Sequence, residues 1–505
     1  MTATLRTRNS PDARQLVIPS PKVLGVWGTV LLAIASYLAG ATRNRNGILE
    51  ALNIGFLSSG HGRNFGMVMF WIGMVLLVCA WVILGKTVVL PQWHTKAATG
   101  PAGPAKSLRA VQRSLWAWVV PLLVAAPLSS RDVYSYLMQG AMVRDGFDPY
   151  NEGAAINPGP FLLEVSYDWR NTTTPYGPLH LWMGDIVTRI VGDNVTLGVV
   201  MYKIISVLGF AAIAFAIPRI ARALGGNPTL ALWIGVANPV MILHLVGGMH
   251  NESVMVGLVS LGLLLCVRHH FLAGIAVIGV AVALKVTAFI ALPFVCWMMV
   301  HQYGQRFHKL TVFVIGGLML LLETAGVVAV VTWASGSSWG WLSEITGNSK
   351  VVNPLAGPTF VADLISPLLT ALNEDLTYNR ILAVARTVSA LLMLAGLAVT
   401  WWYFRRTTKQ VFWGIPVAYQ VAFIFNSVTL PWYYASVISL IGVARPPRWI
   451  LQLAIAATVF ISFSFSSDGN HQLYTLWWVA GSLLLAWQVS AWLIGKQVQP
   501  QHLKS

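Results

Sequence analysis

The sequence predicts an all-α, polytopic integral membrane protein with about 14 transmembrane helices, in a range of roughly 12 to 16. Two observations lead to this prediction. Hydrophobic residues fill 56% of the 505 positions and charged residues only 10%, whereas soluble domains carry roughly 25% charged residues. The basic residues also fall in short clusters between apolar segments, which is typical of the cytoplasmic loops of multi-pass proteins. We therefore expect one polytopic domain over residues 1–505.

The net charge of +16 does not indicate a nucleic-acid partner. No basic stripe interleaves with aromatic residues, as a nucleic-acid interface would require. The tail Met1–Lys22 carries four basic residues and runs into an apolar span without a cleavage site, so we predict a cytoplasmic tail and not a signal peptide. The segment Lys86–Arg113 has five basic residues and no acid, which also predicts a cytoplasmic loop.

Apolar segments long enough to cross a membrane recur along the chain. The predicted spans are Val23–Ala41, Gly66–Leu84, Leu115–Leu128, Val195–Ile217, Thr229–Val246, Ser253–Val267, Phe271–Leu284, Val286–His301, Leu310–Thr332, Ile381–Tyr403, Phe412–Phe425, Tyr433–Val443, Ile450–Phe465 and Gln472–Ile494. The basic clusters between them predict that both termini are cytoplasmic. They also predict a large external loop from Trp333 to Tyr378.

Acidic residues are concentrated in another predicted external loop, from Ser129 to Pro178. Six of the 17 acids lie there: Asp132, Asp145, Asp148, Glu152, Glu164 and Asp168. No carboxylate occurs between Glu50 and Asp132. A chain with few acids that places them directly after an apolar segment puts charge at a membrane–water boundary. Asp132, the first of them, is the predicted chemical centre of a catalytic loop.

Two helices of this loop are predicted to lie in the membrane interface. Helical spacing groups Asp132, Ser135, Tyr136 and Gln139 on one face of the first, and Val133, Leu137 and Ala141 on the other. The polar face would border an aqueous cleft and the apolar face would rest on lipid. The run Leu179–Val191 is predicted as a second, non-spanning helix, because only one crossing fits between Asp132 outside and Arg219 inside.

Two ionisable residues at the predicted outer boundary have both functional and structural explanations. Asp132 is a candidate general base, but it could instead cap its helix or pair with Arg131. Lys285 ends a short apolar run, where an ionisable side chain costs roughly 2.5–3.5 kcal/mol. It is either a point charge that binds a phosphate or a lysine that anchors the helix end by snorkelling.

A third candidate group is the sequence His250-Asn251-Glu252, which joins two predicted spans on the external side. His250 could donate a hydrogen bond to a phosphate, with Asn251 beside it. Glu252 either contacts the substrate or caps the helix that begins there.

Aromatic residues, among them Tyr134 and Tyr176, are predicted at the same boundary. They belong either to an interfacial belt or to platforms that stack on a sugar ring. The sequence has no phosphate loop, no GxSxG motif and no metalloprotease motif. Its three cysteines lie in apolar runs without metal-ligand spacing, which favours a packing role.

These features together resemble the polytopic, C-type (GT-C) glycosyltransferases, which use polyprenyl-phosphate sugars outside the membrane. The shared features are an acid directly after a span, interfacial helices, the sequence Tyr176-Gly177-Pro178 and the boundary residue Lys285. The stretches SSRDVYSY, GFDPYN, TPYGPL, ANPVMILH and GGMHNES are similar to the actinobacterial α-1,6-mannosyltransferases that build the mannan backbone of lipomannan and lipoarabinomannan. The likeness covers most of the chain and is densest from Ser129 to Thr287.

The resemblance implies transfer of mannose, with inversion, from polyprenyl monophosphomannose to a lipid-anchored mannan on the external face of the plasma membrane, without a cofactor. Asp132 would accept the proton of the acceptor 6-hydroxyl. The other implied roles are donor-phosphate binding by Lys285, His250 and Arg131, and substrate binding by Tyr134, Tyr176, Asn251 and Glu252.

The chain departs from the broader superfamily at two points. Two spans precede the span of the catalytic loop, where usually none does, and Arg131-Asp132 stands where paired acids are often found. It is therefore open whether Asp145, Asp148 or Glu252 assists Asp132. The absence of paired acids also argues against a metal site, although a divalent cation is not excluded.

Two other functions are compatible with the sequence. A transporter or flippase of a lipid-linked sugar would need ionisable groups near the middle of the bilayer, and Glu323, inside Leu310–Thr332, fits that requirement. The second alternative is a GT-C enzyme with another donor sugar, such as an arabinosyl donor.

Overall fold

The computed structural model of the chain describes residues 19–45, 47–91, 104–347 and 352–495. Within these ranges the fold is all-α, as predicted, and extended backbone pairs only at an isolated bridge between Phe465 and His471. Residues 1–18 of the predicted tail and 92–103 of the predicted basic loop lie outside the described residues.

The α-helices of the described ranges are numbered in chain order. They are α1 (Pro21–Ala39), α2 (Ile48–Ala51), α3 (Gly60–Leu84), α4 (Pro104–Leu122), α5 (Asp132–Arg144), α6 (Pro178–Val191), α7 (Val195–Ala223), α8 (Pro228–Gly235), α9 (Pro239–Met241), α10 (Glu252–Val267), α11 (Phe271–Leu284), α12 (Leu292–Tyr303), α13 (Lys309–Ser335), α14 (Trp341–Gly347), α15 (Gly357–Leu372), α16 (Tyr378–Tyr403), α17 (Thr408–Phe425), α18 (Ala435–Ile441), α19 (Arg448–Ser462) and α20 (Leu476–Ile494). Wider π-helical turns follow α3 at Gly85–Val89 and α9 at Ile242–Gly247. Tighter 3-10 segments lie at Gly55–Ser58, Ala154–Ile156, Leu162–Glu164, Tyr167–Trp169, Val286–Ala291 and Pro431–Tyr434.

Seven helical stretches of the described residues are long and apolar enough to cross a membrane. They are Pro21–Ala39, Gly60–Val89, Val195–Ala223, Val286–Tyr303, Lys309–Ser335, Tyr378–Tyr403 and Leu476–Ile494. An eighth is added if a bent helix pair counts as one span. The multi-pass architecture is thus confirmed, but the predicted count of about 14 is not. Several predicted spans, such as α10, α11 and α19, are shorter apolar helices.

The predicted span Thr229–Val246 is a broken helix whose halves, Pro228–Gly235 and Pro239–Gly247, meet at an angle of 52°. Pro239 lacks an N–H group and disfavours a helical residue before it, so the helix ends and restarts there. The side chain of Asn238 caps the second half by accepting a hydrogen bond from the N–H of Val240 at 2.9 Å. Beyond Gly247 the chain enters the segment that carries His250.

The first predicted interfacial helix forms as α5, and the second as α6. Their backbones approach so closely at Gly140 and Gly184 that a Cβ atom on Gly140 would clash with the backbone of Gly184. The prediction that the apolar face of α5 rests on lipid is wrong. Val133 and Leu137 are fully buried in protein, and Leu137 packs against α7 at Gly198. Burial between helices fixes α5 in place more firmly than a lipid surface would.

The predicted loop from Trp333 to Tyr378 contains two helices, α14 and α15, with residues 348–351 between them outside the described part of the chain. The helix α15 exposes a stripe of large apolar side chains: Phe360, Val361, Leu364, Leu368 and Leu372. On the other side it packs against α16. The helix α14 carries Glu344 toward the loop 129–178.

Candidate active site

Asp132 is the first residue of α5 and follows a tightly bonded connection. Ser129 has a left-handed φ of 58°, and its N–H donates to the carbonyl of Ser467 at 2.7 Å. The N–H of Asp132 donates to Ser130 Oγ at 3.1 Å. The N-cap residue of the helix is Arg131, without a capping side-chain bond. The Asp132 carboxylate therefore does not cap its helix and is available for other contacts.

The carboxylate of Asp132 faces His250. Its Oδ2 lies 3.2 Å from His250 Nδ1 and accepts a hydrogen bond from the Tyr136 hydroxyl at 3.4 Å. The imidazole is fully buried and stacks on Trp432, with 3.6 Å between ring centroids and 15° between ring planes. This stacking fixes the plane of the imidazole, so its Nδ1 edge is held toward Asp132. His250 Nε2 has no hydrogen-bond partner among the described residues.

Opposing effects act on the ionisation of Asp132. Burial is the largest and on its own would raise the pKa of the carboxyl. The contact with His250 and its charge, the Ser130 hydroxyl and the charge of Lys285 oppose burial, and together they hold the pKa below its ordinary value. The carboxylate is consequently ionised at neutral pH and able to accept a proton.

Lys285 and Glu252 form a charged pair beside the Asp132–His250 contact. Lys285 lies in extended backbone between α11 and the 3-10 turn that follows it. Its ammonium forms a short ion pair with Glu252, whose carboxylate is fully buried. Lys285 is thus not a snorkelling lysine, and Glu252 does not cap α10. Removing either partner would leave the other charge buried and unpaired.

A cavity of about 80 Å³ is lined by two aromatic rings that contact the Lys285 ammonium, those of Tyr176 and Tyr433. The Lys285 ammonium lies 4.0 Å from the centroid of Tyr433 and 5.5 Å from that of Tyr176. Residues from three parts of the chain line the cavity: Asp132, Ser135, Tyr136, Gln139, Trp169, Thr172, Thr173, Pro175, Tyr176, Glu344, Val428, Leu430 and Tyr433. Carboxylates, hydroxyls, an amide and aromatic faces make this wall suited to a sugar.

A buried histidine that the sequence did not suggest supports this wall. His180 Nε2 bonds Gln139 Oε1 at 2.9 Å, and its Nδ1 lies 3.4 Å from Asn251 Nδ2. Burial, aided by the charge of Lys285 and opposed by that of Asp132, lowers the pKa of His180 to about 3. The ring is therefore neutral, donating to Gln139 and accepting from Asn251. Asn251 is accordingly bonded inside the protein and does not line the cavity.

Glu344 is the second acid of the cavity and was also missed. Its Oε2 accepts a hydrogen bond from Thr173 Oγ1 at 2.5 Å, which ties α14 to the loop 129–178. Nothing in the sequence around Glu344 marks it, because it lies in a short helix far along the chain from Asp132. No sequence feature marks its hydrogen-bond partner Thr173 as a site residue either.

Arg131 and Tyr134 are not brought to this cavity, which corrects the roles predicted for them. The Arg131 guanidinium donates to the carbonyl of Glu164 at 2.9 Å and to that of Thr42 at 2.7 Å. It also pairs with the buried Glu164 carboxylate at 3.2 Å. The Tyr134 hydroxyl donates to the carbonyl of Ala41 at 2.9 Å. The adjacent residues Arg131 and Asp132 thus project to different sides of the helix start.

Two other acids of the loop, Asp145 and Asp148, have partners away from Asp132. Asp145 pairs with Arg144 at 2.8 Å. Asp148 accepts a hydrogen bond from Ser338 Oγ at 2.8 Å. Across the described residues, no group of three or more His, Cys, Asp or Glu side chains is arranged to hold a metal ion.

Two family descriptions match most of the chain. Residues 22–301 match "Alpha-(1→6)-mannopyranosyltransferase, N-terminal domain", and residues 358–495 match "MptB C-terminal domain". The chain belongs to the α-(1→6)-mannopyranosyltransferase family. Asp132, His250 and Lys285 lie in the first matched region. Trp432, which stacks on His250, and Tyr433, which contacts Lys285, lie in the second. The two regions therefore complete one site together.

Named relatives agree with this assignment. "Alpha-(1→6)-mannopyranosyltransferase A" of Corynebacterium glutamicum is 53% identical over 469 residues, which cover 90% of this chain and 95% of that protein. The protein of the same name from Mycobacterium tuberculosis is 34% identical over 474 residues, covering 93% and 89%. The predicted glycosyltransferase, and specifically the mannosyltransferase, is confirmed. The transporter and arabinosyl-donor alternatives are accordingly not retained.

Proposed function

We propose that this mannosyltransferase moves mannose from polyprenyl monophosphomannose to a lipid-anchored mannan acceptor, forming α-1,6 linkages with inversion. The observation that carries the proposal is the pairing of Asp132 with His250 at the wall of a cavity suited to a sugar, beside the Lys285–Glu252 pair. The relatives' names support the linkage and the sugar.

Asp132 acts as the general base. The acceptor 6-hydroxyl attacks the anomeric carbon, and its proton passes to Asp132 as the new bond forms. Because the pKa of Asp132 is low, this transfer occurs late, when the attacking oxygen has become acidic. Attack opposite the leaving phosphate converts a β-linked donor into an α-linked product in one step. A retaining mechanism would need a second carboxylate as nucleophile. Glu252 is buried in its pair with Lys285, and Glu344, the second acid of the cavity, is hydrogen-bonded to Thr173.

Lys285 stabilises the leaving group. The donor is a phosphodiester with one negative charge, and the departing polyprenyl phosphate carries close to two. A fixed ammonium nearby favours the state in which this charge develops. In the structure the Tyr433 ring lines the cavity and its centroid lies 4.0 Å from the Lys285 ammonium, which does not itself line the cavity. We infer that this ring turns aside when the donor phosphate binds. His250 Nε2 is the other group that can donate to the phosphate, when both ring nitrogens carry a proton.

The reaction is proposed to occur on the external face of the plasma membrane, with both termini cytoplasmic. Its support is the distribution of charge. Basic residues lie in the last turns of α7, at Arg219 and Arg222, and directly after α16, at Arg405 and Arg406, while the acids gather in the loop 129–178. Cytoplasmic loops collect lysine and arginine.

The proposal is tested with the purified full-length chain in detergent, a labelled polyprenyl phosphomannose and a short α-1,6-mannoside. We expect an extended mannoside whose new linkage is α-1,6, together with free polyprenyl phosphate. Transfer from a nucleotide sugar in place of the polyprenyl donor, or a β-linked product, would contradict the proposed donor or the inversion.

His250 has a testable effect on pH dependence. The base works when ionised, so activity rises as pH increases through the pKa of Asp132. In the unmodified protein this rise falls below the ordinary aspartate value of about 3.9. In His250→Gln the lowering contact is lost and burial dominates, so the rise moves to higher pH. The profile of kcat/KM against pH, recorded for both proteins, measures this shift. A slower variant with an unshifted profile would mean that His250 serves only the phosphate.

A further inference from the structure

A second cavity, of about 370 Å³, lies between α1, α7 and the segment 123–127 after α4. Tyr134 of α5 lines it, whereas Asp132 and Tyr136 of the same helix line the candidate active site. The two cavities are therefore on different faces of α5. None of the four charged residues of the active-site pairs lines the second cavity.

The walls of this second cavity are mainly apolar and continue onto the membrane-facing surface. Val124 and Val200 line it and are 70% and 47% exposed. Val200 belongs to α7, one of the helices long enough to span the membrane. Exposed apolar side chains on such a helix face lipid, so the cavity opens toward the bilayer.

Two cations line the cavity among these apolar residues. Lys203 is only 5% exposed, and its ammonium donates to the carbonyls of Val246 at 2.8 Å and Gly247 at 3.4 Å. No carboxylate of the described residues lies within 4 Å of that ammonium, and one of its three N–H groups is without a protein acceptor there. A buried cation without a counter-charge is costly.

The second cation, Arg43, donates to Thr196 Oγ1 at 3.0 Å. Its Nε is buried and has no hydrogen-bond partner among the described residues, although Glu164 lies 3.6 Å away. One acid, Glu50, also lines the cavity, and its carboxylate accepts a hydrogen bond from the N–H of Gly47 at 3.0 Å. The cavity therefore offers an anion the Lys203 ammonium, which has no carboxylate partner in the described part of the chain, and the Arg43 guanidinium, whose charge is shared with Glu164.

We propose that this cavity binds an anionic phospholipid of the surrounding membrane. Its phosphate contacts Lys203 and Arg43, and an acyl chain lies along Val124 and Val200. A soluble anion would satisfy the cations but leave the apolar walls empty, and a neutral lipid would do the reverse. A lipid that carries both a phosphate and an acyl chain matches both features of the cavity.

The test uses the full chain, delipidated in a neutral detergent. The probes are phosphatidylglycerol, zwitterionic phosphatidylcholine and inorganic phosphate. Native mass spectrometry counts bound lipid, and thermal unfolding reports stabilisation.

Lys203 also holds two backbone carbonyls, so its replacement could disturb folding. Val200→Trp, which fills the cavity from an exposed position, is the main variant. Its control is Ile204→Trp, one turn further along α7, 51% exposed and outside the cavity lining.

We expect phosphatidylglycerol to remain bound to the unmodified protein and to Ile204→Trp and to raise their Tm. Phosphatidylcholine and inorganic phosphate should do neither. Val200→Trp should keep its own Tm but bind phosphatidylglycerol about tenfold more weakly or worse. Equal binding of the two lipids, equal stabilisation by inorganic phosphate, or full retention of phosphatidylglycerol by Val200→Trp would each overturn the proposal.

Discussion

The substitution Asp132→Asn should lower kcat for mannose transfer by about 10²–10⁴-fold, the usual contribution of a general base. An asparagine amide has the same shape as the carboxylate and can still accept the hydrogen bond from Tyr136. It cannot take the proton of the attacking hydroxyl. Binding of donor and acceptor should change little, because the variant removes an interaction made mainly in the transition state. Single-turnover rates with labelled donor measure the effect.

Asp168→Asn is the matched control. Asp168 is an exposed acid of the same loop and does not line the cavity, so its loss should leave turnover unchanged. Thermal unfolding of both variants checks that the fold is kept. If folded Asp132→Asn turns over within a few-fold of the unmodified protein, Asp132 is not the base.

The position of Asp132 was predictable because its signals are local. Composition alone separates a membrane protein from a soluble one, and the acid-free stretch before Asp132 marks where charge returns to the chain. Helical spacing then grouped Asp132, Tyr136 and Gln139 on one face, and all three line the cavity. Spacing also grouped the apolar residues of the opposite face. It could not show whether that face contacts protein or lipid.

The partners of Asp132 were not predictable in the same way. The contacts with His250 and its Trp432 support depend on packing between helices distant in sequence. Sequence adjacency was misleading for Arg131, because successive residues of a helix start point in different directions. Its partner Glu164 was counted only as one acid of the loop. His180 was overlooked because an isolated histidine in an apolar helix has no pattern of its own.

The predicted span count was not confirmed, and at one predicted span the structure gives a physical reason. Length and hydropathy identify an apolar segment, but not whether it is continuous. At Asn238-Pro239 a capping residue and a proline together mark a break, and the structure bends there by 52°. The bent segment leads directly into the residues that carry His250. The break that the prediction of a simple span overlooked therefore helps to position a residue of the candidate site.

The Lys285–Glu252 pair allows structural and chemical roles to be separated. Lys285→Met should destabilise the protein by about 3–5 kcal/mol, because the buried Glu252 carboxylate loses its counter-charge. Transfer should fall too, but an unstable variant does not reveal why. The double variant Lys285→Met/Glu252→Met removes both charges, and replacing a buried ion pair by apolar side chains of similar volume is often neutral for stability.

We therefore expect the double variant to regain most of its stability and none of its transfer, since the leaving phosphate of the proposed donor would still lack an ammonium. Unfolding in detergent and initial rates against donor concentration measure the two effects. Arg63→Met, which breaks the exposed pair with Asp468, is the control and should alter neither. Recovery of transfer along with stability would assign the pair to the scaffold alone. Continued loss of transfer in a stable protein would assign the pair a role in the reaction itself, because no structural defect would be left to explain it.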